Sequence, residues 1–481
     1  MRHDALTRNF GATPVFLNWA LQAPRSVRPH MLLRVPHTIL ALAAALTVGL
    51  ALPGAALALD TEPGQVVVRF EPGSTATTAQ ASGGEPAVLR VKSVKDALRG
   101  LRARPDVAYA VPDVKAHASA SAGFIPNDPG RENRTAAWQD VQWNFSGPAG
   151  VNAPQAWANL ITAGAPGGRG VAIAVLDTGV AYGSRPPYAR SPDFAPGQFL
   201  RGYDFVDRDP FPHDRNGHGT HVAGTLAEAT NNGVGLTGLA YGARLLPVRV
   251  LDAAGEGNAS DIAAGIRFAA RRGAKIINLS LEFDSDVRAA DIPQILDAVA
   301  FARSRGSLVV GASGNEGRAR VAYPARASGV LSVGATTEHG CLSEFSNGGS
   351  GLDIVAPGGG ADAALNGDPN CRPGDAAGRN IFQVTLLSRA VGTFGIPGTY
   401  EGTSMAVPHV AAAAALVVAS GVIGRNPSPL RIERQLENTA RDLGTKGYDT
   451  RYGWGLLDAA AATTPPGGAG GGGGTASPTA G

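Results

Sequence analysis

Short, continuously apolar runs alternate with helical spacing through the middle of the chain. Residues 171–177 form such a run and end on Asp177; comparable runs occupy 244–251, 275–280 and 307–312. Between them, 259–272 and 292–305 carry apolar positions every three to four residues. Runs too continuous for a one-faced strand predict strands buried on both sides. The intervening helices then predict a mostly parallel sheet with helices on both faces, an α/β fold. Ligands in such sheets bind outside the carboxyl ends of the strands. Asp177 and Asn315 both fall at or just past such ends. A small-residue apolar run over 406–420 predicts a further helix.

The front of the chain reads differently. Residues 39–52 are an apolar block shorter than the roughly 20 residues a membrane span needs. Arg28, His30 and Arg34 precede it, and Ala56-Leu57-Ala58 fits a small-x-small cleavage site. Residues 1–58 are therefore read as a signal peptide region cleaved after Ala58, with Met31 as an alternative start and an uncleaved anchor as the alternative fate. Over 59–120, strand patterns at 65–70, 88–91 and 107–111 surround a helical one at 94–102 with Val94, Leu98 and Leu101 on one face. This predicts a small separate α+β unit. Residues 116–124 read as a linker, 121–462 as the main domain, and 463–481 as a Gly-rich flexible tail.

Composition narrows the partners. With 44% apolar residues the chain can build a substantial core, while 6% aromatics and 65 glycines favour a turn-rich body. A net charge of +3 without any block of like charge argues against a nucleic-acid or membrane-surface partner. The two cysteines, Cys341 and Cys371, are too few for a disulfide framework or a zinc site. They form either one disulfide or two buried thiols, and export favours the disulfide.

Three segments carry the chemistry. Asp177-Thr178-Gly179 closes the first buried strand; Asn216-Gly217-His218-Gly219-Thr220-His221 opens a small-residue helix; Gly402-Thr403-Ser404-Met405-Ala406-Val407-Pro408-His409 puts a serine at a helix N-terminus. In these motifs, and in their order Asp, His, Ser, the chain resembles the subtilisin family over about residues 127–461. The resemblance implies a subtilisin-like three-layer fold preceded by an α+β propeptide. It implies a secreted serine endopeptidase made as a self-processing precursor, with Ser404 as nucleophile, His218 as base and then acid, and Asp177 orienting the imidazole. Asn315, in Gly311-Ala312-Ser313-Gly314-Asn315, matches the side-chain oxyanion donor, with the Ser404 N–H as the second. His221 and His409 read as packed helix histidines, since no His-Glu-x-x-His pattern is present. His213 and His339 read as surface or loop residues.

The same resemblance assigns Ser280, Leu281 and Glu282 to one wall of the first specificity pocket, Gly255 and Gly257 to the opposite wall, and Ser313 and Gly314 to the stretch before Asn315. Ala322 becomes the pocket floor. Glu282 departs from the family's usual glycine; its carboxylate could attract a basic side chain or point to solvent, and solvent is favoured. Asp193, Asn232, Val234 and Leu236 resemble a structural calcium site, against which stands an ordinary Asn-Gly turn. No organic cofactor is implied. Protein or peptide substrates, the chain's own propeptide as intramolecular inhibitor, a monomeric state and no stable membrane association after signal cleavage complete the expectation. A catalytically silent relative, a Ser-His-Asp esterase and a surface adhesion protein are the rivals; an esterase would carry Gly-x-Ser-x-Gly, which is absent around Ser404.

Overall fold

The computed structural model describes residues 61–71, 74, 85–114, 123–387 and 391–465. The signal region 1–58, most of the linker and the tail beyond residue 465 lie outside the described residues. Two compact units divide between residues 116 and 117.

In the first unit, β1 (Thr61–Phe70) is the middle strand of an antiparallel sheet, flanked by β2 (Ala87–Arg90) and β3 (Val107–Val114). Alternation puts Val66, Val68 and Phe70 on one face, buried with Ala110. The helix α1 (Val94–Arg102) lays Val94, Leu98 and Leu101 against that face, and its N-terminus is capped by Ser93 Oγ accepting from the Asp96 N–H. The unit is α+β, as the patterning predicts.

The second unit holds a seven-stranded parallel sheet. In chain order its strands are β4 (Ala172–Asp177), β5 (Tyr203–Asp204), β6 (Arg244–Arg249), β7 (Ile276–Leu279), β8 (Leu308–Ala312), β9 (Val330–Thr336) and β10 (Ile354–Pro357); in space they run β10-β9-β8-β7-β4-β6-β5. β4 shows why its sequence run is unbroken. Ile173 and Val175 enter the core on one side, Ala174 and Leu176 the core on the other. The first core is covered by α3 (Ala153–Thr162), α4 (His218–Ala227) and α7 (Thr403–Ser420), the second by α5 (Ala259–Arg271) and α6 (Pro293–Ser304). Two-sided covering of a parallel sheet is the three-layer arrangement expected.

Some elements differ from the sequence reading. The helix expected at Ala406 starts at Thr403, which takes Ser404 into its first turn. β9 and β10, unanticipated, extend the sheet beyond β8; the first is diluted by Ser332 and Gly334, and the second is four residues ending in proline. A hairpin of β11 (Thr385–Leu386) and β12 (Phe394–Gly395) and the helices α2 (Trp143–Ser146), α8 (Pro429–Asn438) and α9 (Ala459–Thr463) complete the unit, α9 including the first residue assigned to the tail. Cys341 and Cys371 form the disulfide, with Cα atoms 4.7 Å apart and a sequence separation of 30. Closing a loop of that length restrains the unfolded chain by about 3–4 kcal/mol in the chain-entropy picture.

Candidate active site

The carboxyl edge of the parallel sheet opens into a cleft of about 630 Å³ whose lining includes His218, Ser404, Ser280, Leu281, Glu282, Gly255 and Gly257. β4 delivers Asp177 there, fully buried. Its Oδ1 accepts from the Thr178 N–H at 2.7 Å and faces His218 Nδ1 at 2.7 Å, while Oδ2 is buried without a partner. Close approach of α4 to this turn needs a residue without Cβ at 219. A Cβ on Gly219 would stand 2.1 Å from the Gly179 carbonyl oxygen and 3.0 Å from Asp177 Oδ1. The His218 side chain is 24% exposed, so one ring edge reaches the cleft. Burial lowers its pKa, but the charge and hydrogen bond of Asp177, with Asp214 adding, outweigh this and hold the imidazole above its ordinary value.

Ser404 is the second residue of α7, so its N–H belongs to the unpaired first-turn donors. Four residues on, Pro408 has no N–H to return to the Ser404 carbonyl. Ser280 Oγ fills the gap, donating to that carbonyl at 2.8 Å, and the Ser404 hydroxyl in turn donates to the Ser280 carbonyl at 3.3 Å. The segment after β7 and the start of α7 are thereby clamped together, with the Ser404 hydroxyl turned to Ser280 in this resting arrangement.

Asn315 follows β8. Its Oδ1 accepts from the Thr403 N–H at 2.7 Å and Thr403 Oγ1 at 3.0 Å, which fixes the amide orientation and leaves Nδ2 as the outward donor. That donor reaches Glu282 Oε1 at 3.1 Å. Glu282 thus departs from the solvent orientation expected for it. The free Asn315 donor draws the carboxylate inward, and Oε2 is buried without a hydrogen-bond partner. Burial raises the Glu282 carboxyl, the Asn315 bond pulls it down, and Glu316 and Asp284 push it up further, for a net rise.

The remaining pocket residues sit deeper. Ser313 is buried with Oγ donating to the Asn347 carbonyl at 2.8 Å, and Ala322, also buried, donates its N–H to the Ser313 carbonyl at 2.7 Å. His213, expected as a surface or loop residue, lies in a loop but is buried, with Tyr182 and Tyr188 stacked on it at centroid distances of 4.8 and 4.4 Å. Burial, with Arg185 and Arg215 nearby, lowers its pKa to about 4. His221 and His409 are buried helix residues.

Asp214 was missed. Fully enclosed, it accepts from the N–H groups of Asn216, Gly217 and Thr220 and from the hydroxyls of Thr178 and Thr220. It therefore ties the Asp177 turn to the N-terminus of α4. The available signal was an aspartate just ahead of a predicted helix start. Asp214→Ala should destabilise the fold by on the order of 3 kcal/mol, since five donors, most of them buried, lose one acceptor; urea unfolding measures this.

The calcium candidates form a closed loop. Asp193 accepts from Asn232 Nδ2 at 2.9 Å and the Leu236 N–H at 2.8 Å, while Asn232 Oδ1 accepts from the Val234 N–H at 2.8 Å. Burial pushes Asp193 up to about 7, with Asp128 adding; burial and Asp193 raise Glu228, whose Oε2 is buried without a partner. Among the described residues no three His, Cys, Asp or Glu side chains gather as a metal cluster.

Comparison with known proteins gives the family. The model of the subtilase family matches residues 168–455. Subtilisin Savinase of Lederbergia lenta is 40% identical over 323 residues, 67% of this chain and 98% of that protein. Thermitase of Thermoactinomyces vulgaris is 36% identical over 324 residues, 67% of this chain and 94% of that protein. A solved protease from Pseudoalteromonas arctica superposes with a TM-score of 0.56 at 32% identity, covering 70% of this chain and 98% of that one. The chain belongs to the subtilase family, the subtilisin-like serine proteases.

Proposed function

We propose that the protein is an exported serine endopeptidase, made as a precursor, that cleaves peptide bonds through an acyl-enzyme on Ser404. The observation that carries the reading is the short Asp177–His218 hydrogen bond beside Ser404 in one cleft at the sheet's carboxyl edge. Asp177 accepts from Nδ1–H, so the other ring nitrogen is free to act as base. The Ser404 hydroxyl leaves the Ser280 carbonyl, gives its proton to His218 Nε2, and Oγ attacks the scissile carbonyl. The carbonyl's electron pair moves onto oxygen, where Asn315 Nδ2 and the Ser404 N–H stabilise it. Collapse expels the amine, which takes the proton back from His218; water then repeats the cycle and releases the acid. The disulfide fits an oxidising compartment. The α+β unit over 61–114 serves as propeptide and inhibitor, and the mature enzyme acts as a monomer on proteins or peptides. Hydrolysis of casein that a sulfonyl fluoride abolishes tests the reading; casein hydrolysis insensitive to that reagent sinks it.

Calcium is the proposed structural cation, held through oxygens of Asp193 and Asn232 and the backbone at Val234 and Leu236. The fit rests on charge. Asp193 has carboxylate neighbours in Asp128 and Glu228, and Glu228 keeps an orphaned buried oxygen. A hard cation would neutralise this surplus and lock the loop. Calcium at roughly 100-fold above its Kd should add about 2.7 kcal/mol. Thermal unfolding with and without a chelator is expected to show a Tm several degrees lower in chelator, with Asp193→Asn insensitive to calcium; equal Tm values remove calcium from the account.

A further inference from the structure

Glu282 has a position that the chemistry above does not use. Its Oε1 accepts from Asn315 Nδ2 at 3.1 Å, and its Oε2 is buried with no hydrogen-bond partner. The carboxylate lies against the backbone at Gly314, where φ is +114° and a Cβ would stand 2.7 Å from Oε2. A side chain at 314 would therefore expel it. The charged residues lining the cleft are Glu256, Glu282 and Asp284, with no lysine or arginine among the lining residues. Glu256 and Asp284 are exposed and Glu282 is half-buried, so the described lining offers the reacting serine's neighbourhood carboxyl groups and no lysine or arginine.

We propose that Glu282 makes this enzyme selective for a lysine or arginine on the acyl side of the scissile bond, and that pairing with this cation releases the Asn315 amide to the oxyanion. This rests on the endopeptidase reading above. With an apolar side chain in the pocket, the Glu282 carboxyl keeps its bond to Asn315 Nδ2 and holds the amide turned toward itself rather than toward the forming oxyanion. With a cation in the pocket, the carboxylate gains an opposite charge, the orphaned oxygen gains a donor, and the amide turns to the reacting oxygen. Buried groups left unpaired by the wrong substrate are a stronger source of discrimination than pocket size. Because the cation acts on the oxyanion donor, preference is expected in kcat as well as in KM. Ser280 and Leu281 supply the wall; Glu282 supplies the choice.

The test is kcat and KM of the mature enzyme, in calcium buffer, on a peptide pair differing only in arginine or phenylalanine at that position. The parent should favour arginine by at least about 10-fold in kcat/KM, and Glu282→Gln should reduce the preference to about twofold or less. Glu282→Gly should lower kcat/KM for arginine yet raise kcat for phenylalanine, because Asn315 is then unclaimed. A merely structural role would depress both peptides together. An unchanged ratio in the variants, an equal loss on both peptides, or a parent that prefers phenylalanine each overturns the proposal. Fluorescence titration with p-aminobenzamidine, which needs no turnover, judges the pocket separately: binding weakened at least about 10-fold by Glu282→Gln supports it, and equal binding overturns it. Failure of every peptide together with failure of a sulfonyl fluoride to label Ser404 would count against the endopeptidase reading, leaving the titration to decide on Glu282.

Discussion

Ser404→Ala should lower kcat by about 10⁶-fold while leaving the fold intact; this size is established for subtilisins, relatives of this chain, rather than drawn from the distances here. On the proposed mechanism the substitution removes the atom that bonds the acyl group, and with it the role of His218 as base. Structural cost should be small. The hydroxyl makes one long bond, to the Ser280 carbonyl at 3.3 Å, whereas the clamp on α7 runs through the Ser404 carbonyl and survives. Intact mass and N-terminal sequencing of the secreted products give a second readout. The parent should lose residues 59 to about 120, and the variant should retain them, because no nucleophile remains to cut the precursor. Identical processing of both proteins would assign maturation to another protease, and comparable peptide hydrolysis by the variant would remove Ser404 from the mechanism. The variant also gives a protein that cannot digest itself, the suitable background for measuring Asp214→Ala.

How far the sequence carries this picture depends on whether a feature is local. β4 was legible because residues of both parities are buried, so its pattern is an unbroken apolar run. Asp177, His218, Ser404 and Asn315 became candidates because their segments, taken together and in chain order, resemble those of the subtilisin family; Asp177-Thr178-Gly179 or the turn at Asn315 alone would not have singled them out. The clamp between Ser280 and Ser404 was not, since its partners lie 124 residues apart and the reason for it, the N–H that Pro408 lacks, acts on a residue four positions earlier. Asp214 was missed for a related cause: its donors come from both Thr178 and α4, and only folding brings them together. The orientation of Glu282 is the sharpest case. A carboxylate in that segment could reach solvent or the pocket, and the choice turns on Thr403, which occupies Asn315 Oδ1 and so aims Nδ2 at Glu282. β9 and β10 escaped because small residues and a terminal proline erase the apolar pattern although the sheet neighbours bury both strands.

Asp177→Asn separates charge from shape at the base. Oδ1 of the aspartate takes both the Thr178 N–H and the His218 Nδ1–H, and Oδ2 has no partner. An asparagine can keep its oxygen in the first position, so the ring stays in place and the negative charge is lost. Stabilisation of the imidazolium disappears with that charge, and kcat should fall by up to about 10⁴-fold. The pH profile gives the sign. In the parent, Asp177 holds the His218 pKa above its ordinary value against the lowering effect of burial. His218 must be neutral to act as base, so kcat/KM should fall as pH drops through that raised pKa, with its acid limb above about 6.5. In the variant only the lowering effect of burial and the weaker charge of Asp214 remain, so the residual activity should persist to lower pH than in the parent. An acid limb that stays where it was would mean that Asp177 does not set the protonation of His218. The 2.7 Å contact would then be structural, and the base would have to be sought among the other groups lining the cleft.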